Sequence, residues 1–168
     1  CCDMAMINER LKIVKGTHFH LLNANCQTLL ASMQAGGKGY CGIMCNFHPK
    51  LYAWLRDNYE SERAELVQAV TGTFGFTEVG LPYPLTAKYH MGLCGLKTET
   101  IARNRKSEEL TDYARSCMGQ MKRATDALEA MLDKLPPMTT LIEQVKETSA
   151  GKTPAGMVRD LLDLIFGD

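Results

Sequence analysis

A chain of 168 residues with 45% hydrophobic and 23% charged content is long enough for one ordinary domain core and has the balance of a soluble globular protein. Nineteen basic against 19 acidic residues give a formal net charge of +0, which removes the bulk electrostatic case for nucleic acid or an anionic membrane as partner. No apolar run approaches the roughly 18 residues of a membrane span. No signal-peptide pattern stands at the N-terminus, so a cytoplasmic location is expected.

The seven cysteines are odd in number, and Cys41, Cys45, Cys94 and Cys117 lie inside apolar or helical stretches. Free thiols in a reducing compartment are the expectation, because free Cys behaves as a small hydrophobe. The start at Cys1-Cys2-Asp3, without an initiator Met, reads as a piece of something longer.

In chain order, Asp3 is placed to cap a helix through Asn8, Leu11, Ile13 and Val14 that ends at Gly16. His18 to Ala24 reads as a short strand. Cys26 to Ala35 carries Leu29, Leu30 and Met33 at the spacing of one helix face. A glycine turn, Gly36-Gly37, follows, and then an apolar strand from Gly39 to Cys45 without polar alternation. Pro49 suits the first position of the next helix, through Leu51, Tyr52, Trp54 and Leu55. Helix, glycine turn, buried strand and helix is the order of an α/β unit with a parallel sheet.

Downstream the pattern is helical. Ser61 opens a helix with Ala64, Leu66, Val67 and Val70 inward, fading in the glycine-rich run from Thr71 to Gly80. Leu81-Pro82-Tyr83-Pro84 breaks the chain, and Thr86 to Leu93 forms a short helix stopped by Gly95. Ser107 to Leu132 predicts a helix of about seven turns with Leu110, Tyr113, Ala114, Cys117, Met121, Leu128 and Met131 on its apolar face. Pro136-Pro137 ends it. Thr140 to Glu143 has the form of a capping box, and Met157 to Phe166 that of a final apolar helix after Thr153-Pro154.

The ordered set of motifs resembles the Schiff-base aldolase and lyase family of dihydrodipicolinate synthase and N-acetylneuraminate lyase. Asn23-Ala24-Asn25 stands where that family has its Gly-x-Asp-like turn after the seventh strand. Gly36-Gly37-Lys38-Gly39-Tyr40-Cys41-Gly42 takes the form of its eighth strand, followed by Asn46 to Pro49 and Leu51-Tyr52. Pro82 to Lys88, running on to Gly92-Leu93-Cys94-Gly95-Leu96, echoes a later proline-rich segment. The likeness covers about Cys1 to Leu132.

It implies an α/β fold: the last two β/α units of a (β/α)₈ barrel over 1–58, a C-terminal helical domain over 59–135, and a helical extension of unknown role over 136–168. It also implies action on pyruvate or a related 2-keto acid, with no cofactor and no metal. Cys41 would offer backbone to the keto acid, Gly42 would leave room for it, and Asn23 and Asn25 would complete a substrate-binding set. The partners implied are the keto acid in the intact enzyme, and either further copies of the chain or the missing N-terminal barrel half.

A class I aldolase needs an amine nucleophile and a proton relay beside it. None of Lys12, Lys15, Lys38, Lys50 or Lys88 occupies the matching position. The family's Schiff-base lysine would lie upstream of Cys1, so no catalytic residue is assigned within the chain. Asn25, Cys26 and Ile43 stand where sialic acid lyases carry polyol-binding groups, which disfavours a sialic acid. Asn23 in place of the usual Gly departs from the dihydrodipicolinate synthase pattern, leaving another keto-acid lyase subgroup as the expectation. The competing reading is a non-catalytic helical interaction or oligomerisation module derived from the same family.

Other signals are weaker. His18 and His20 share a strand face and could join Cys26, or Cys41 and Cys45, in a zinc site, but a Cys-x₃-Cys strand lacks zinc-knuckle spacing and core packing is preferred. Cys45 and His48 are close in sequence, yet nothing supplies a third orienting group. Gly151-Lys152-Thr153 lacks the earlier glycine and the strand of a phosphate loop. Arg103-Asn104-Arg105-Lys106 reads as a solvated loop. The final helix must bury its apolar face on its own domain or on another subunit.

Overall fold

The computed structural model describes residues 3–134 and, beyond them, positions 140, 143, 147, 151–153, 155, 156, 158 and 159. The chain divides into two units, Cys1–Ala127 and Leu128–Asp168, and the site lies in the first. The capping box at Thr140 to Glu143 and the final apolar helix fall largely outside the described residues. No helix among the described residues is long and apolar enough to cross a membrane.

Helix α1, Met4–Val14, begins where Asp3 was expected to cap it, the Asp3 carboxylate accepting a hydrogen bond from Ala5 N at 2.9 Å. Ile7 is its buried contact. The chain then runs extended to α2, Leu29–Gln34, whose Leu29, Leu30, Ser32 and Met33 are buried. Gly36, at φ +110°, makes the turn that follows; a side chain is disfavoured in that region. A 3₁₀ turn, Ile43–Asn46, leads to α3, Pro49–Asp57, with Pro49 in its first turn and Leu51, Tyr52 and Leu55 inward.

Helix α4, Ala64–Gly80, does not fade at Thr71 but continues through the glycine-rich run to Gly80, and Leu66, expected inside, is 46% exposed. Helix α5, Leu85–Leu93, is followed by a loop and a second 3₁₀ turn, Ser107–Glu109. The long helix α6 is Asp112–Lys134, and Tyr113, assigned to its apolar face from spacing, is 72% exposed. Helix α2 packs on α1 and α4, and α3 on α4. Leu29, Phe47, Leu51, Leu55, Val67 and Met118 are fully buried core residues, and Leu85, Leu110 and Ala114 form a smaller cluster with Leu81, Tyr89 and Ala102 against it.

The expected α/β architecture is not what forms. Among the described residues there is no β-strand, only isolated bridges at Asn23 with Tyr40 (parallel) and Ala102 with Arg105 (antiparallel). The first bridge lies where strands seven and eight were expected. Three backbone hydrogen bonds of 2.9 Å join the two extended segments: Lys38 N to Leu21 O, Asn23 N to Gly39 O, and Cys41 N to Asn23 O. The pairing stops there because the chain tightens into the 3₁₀ turn at Ile43, inside the run read as strand. Two short parallel segments without a third neighbour do not make a sheet. Among the described residues the architecture is helical, and no barrel unit is present.

Candidate functional site

Asn23 sits at the join of the two extended segments and is 6% exposed. Its side-chain amide donates to Thr28 Oγ1 at 3.0 Å and Ser32 Oγ at 3.1 Å, while Oδ1 accepts from Asn25 N at 2.9 Å. Asn25 is turned inward too: its Oδ1 accepts from Thr28 N and Thr28 Oγ1, both at 3.0 Å, and its amide donates to Gln27 Oε1. Both asparagines therefore tie the extended segment to the start of α2. A small cleft of about 170 Å³, lined in part by Arg10, Asn23, Ser32 and Gly37, lies beside them.

Cys41 is bonded through its backbone N–H to Asn23 O, so three of the four residues singled out by resemblance are brought together. Its side chain is exposed. Gly42 follows directly, and a Cβ there would collide with the hydroxyl end of Tyr40. Its missing side chain makes room for that ring, which stacks on Tyr52 at 4.5 Å.

Lys12, Lys15 and Lys38 line an open cleft of about 650 Å³ between the end of α1 and the glycine turn, and all three are exposed to water. Lys88 donates to Ile101 O at 2.6 Å beside a second open cleft of about 790 Å³ that includes Arg103 and Asn104. His18 and His20 are exposed, whereas Cys26 is buried. No group of three or more His, Cys, Asp or Glu that could hold a metal forms among the described residues.

The most concentrated chemistry lies elsewhere. His48, the residue before α3, and Glu78 on α4 are both fully buried, with His48 Nε2 and Glu78 Oε1 2.6 Å apart. The approach is close but outside hydrogen-bond alignment. On the other side of the ring, His48 Nδ1 lies 2.9 Å from Thr125 Oγ1 on α6. His90 on α5 meets the His48 ring edge-on, at 5.5 Å between centroids, and Cys94 Sγ is 3.7 Å from His90 Nδ1. Phe47 and Phe74 close the cluster.

Burial sets the charge states. Desolvation pushes the Glu78 carboxyl up to about 8. His90 is pushed down to about 4, first by desolvation and then by His48 and Lys122. Desolvation also raises the Cys26 and Cys45 thiols, the opposite of what a nucleophilic thiolate needs. With both nitrogens of His48 facing Thr125 and Glu78, the Cys45–His48 pairing weighed from sequence does not assemble.

Sequence reasoning had not singled out Glu78 or His90. The signal was present: Val67, Thr71 and Glu78 fall on one helical stripe of α4, so a carboxylate lies on an inward face. Comparison with known proteins finds no matching family model, no matching curated protein and no matching solved structure.

Proposed function

We propose that the chain is the C-terminal part of a Schiff-base-forming lyase or aldolase acting on pyruvate or a related 2-keto acid, in a cytoplasmic setting. The amine nucleophile lies outside these 168 residues. The observation that carries this reading is the parallel pairing of Leu21–Asn23 with Lys38–Cys41. The two segments bearing the family-like motifs run side by side in the same direction, and Asn23, Cys41 and Gly42 meet at one end. There the exposed Cys41 and the backbone at Gly42 are the substrate-facing positions. Asn23 and Asn25 hold the segment in place through the bonds described above. No cofactor is required by this chemistry, since an iminium formed on a lysine serves as the electron sink.

The test is borohydride reduction in the presence of pyruvate. The intact gene product is expected to gain a covalent pyruvyl adduct on a lysine outside these residues, and the 168-residue chain alone is expected to gain none. An intact product that takes no adduct overturns the lyase reading.

A second reading, a non-catalytic interaction or oligomerisation module, is favoured by one observation. Ile13, Phe19, Phe76 and Val79 are each at least 64% exposed, which is much apolar surface for a chain standing alone. Sedimentation separates the cases: self-association without any adduct favours the module, whereas a sharp monomer counts against it.

A further inference from the structure

We propose that the cleft between the end of α1 and the glycine turn binds a small molecule with two or more phosphate groups, held by Lys12, Lys15 and Lys38. Its volume of about 650 Å³ lies within the roughly 300–1,000 Å³ of small-molecule sites. The whole chain has a formal net charge of +0, so three ammonium groups around one concavity are a local concentration. Among the described residues, no Asp or Glu lines the cleft and none of the three lysines has an ion-pair partner.

Two of the lysines have a local explanation. Lys12 lies in the last turn of α1 and Lys15 is its C-cap, where cations offset the negative end of the helix dipole. That end carries only about half an elementary charge, and Lys38 enters from the glycine turn on the other side. The positive charge is therefore left uncompensated. A phosphate group carries about 1.5 to 2 negative charges at neutral pH, so two such groups on one compact ligand match three lysines. Lysine is a point-charge phosphate binder, with no fork geometry to satisfy.

Backbone bonds fix both walls. Thr17 N and Thr17 Oγ1 donate to Val14 O at 3.0 and 2.7 Å, closing the turn after Lys15. Gly37 N donates to Ser32 O at 2.8 Å and Lys38 N to Leu21 O at 2.9 Å, which sets where the Lys38 side chain starts. Half-buried Leu11, Val14 and Leu21 also line the cleft, and such apolar walls strengthen charge attraction by lowering the local dielectric. The cleft lies at the far end of the paired segments from Cys41 and Gly42, so the proposal stands apart from the keto-acid reading.

The experiment is calorimetric titration of the full chain with inorganic tripolyphosphate at about 0.15 M salt. Binding is expected, and the triple variant Lys12→Ala, Lys15→Ala, Lys38→Ala is expected to weaken it by about tenfold or more, since one exposed charge pair counts for up to about fivefold. Lys38→Arg keeps the charge and is expected to keep the binding. Lys97→Ala and Arg103→Ala remove an exposed charge elsewhere, the second in the other open cleft, and are expected to change nothing. Lys38→Glu serves if the triple variant does not fold, with a loss of about threefold or more expected. No binding by the wild type, no loss in the lysine variants, or equal loss in Lys97→Ala or Arg103→Ala overturns the site. Tighter binding of citrate overturns the phosphate class, and tighter binding of a single-stranded oligonucleotide overturns the small molecule.

Discussion

Two buried side chains show how a polar group survives in this interior. His90 remains because it is neutral: burial holds its pKa near 4, so protonating it in the folded state is unfavourable. The unfolded imidazole titrates near 6.5, so the unfolded state binds more protons between these values and stability falls as pH drops from 6.5 to 4. Glu78 slopes the other way over much of that range, so the test belongs in a Glu78→Gln background. There, acid unfolding is expected to cost at most about 3 kcal/mol, and adding His90→Phe is expected to abolish that slope in a urea titration. Asn23 survives by another route, with both ends of its amide bonded within the turn. Asn23→Ala leaves the Thr28 and Ser32 hydroxyls without their donor and is expected to cost about 1–3 kcal/mol, read from the urea midpoint.

Helix α2 illustrates how an element can depend on its neighbour. It is six residues long, too short to persist alone, and the Thr28 side chain makes no capping bond. Gln68 of α4 takes that role from across the interface: its Oε1 accepts from Leu30 N at 2.8 Å and its amide donates to Cys26 O at 2.8 Å. Gln68→Ala is expected to lower stability by about 1–3 kcal/mol and to speed amide exchange at Leu30. A conservative change on an adjacent face, Ala69→Ser, serves as the control, since Ala69 is exposed. The same helix α4 carries Glu78 one stripe further on, so a single element both caps α2 and bears the buried carboxyl.

For the molecule as a whole, local signals and long-range contacts divided the outcome. Caps, breakers and apolar spacing made α1, α3, α5 and most of α6 legible in the chain, because an N-cap, a first-turn proline or a terminal glycine acts within a few residues. The run from Gly39 to Cys45 misled, since a short apolar segment looks the same whether it becomes a strand or a turn. Its state depends on a third strand beside it, and local sequence carries no information about that neighbour. The structure places the segments at Asn23 and Cys41 side by side, but what their side chains do was not foreseeable: Asn23 is bonded inward and Gly42 accommodates Tyr40. The neutral charge balance and the absence of a membrane-length apolar run follow from the sequence alone. Only the tertiary structure brings His48, Glu78, His90 and Thr125 into one buried cluster, because residues spread over 78 positions meet only through packing, and the proton affinities of Glu78 and His90 shift only once that packing removes water from around them.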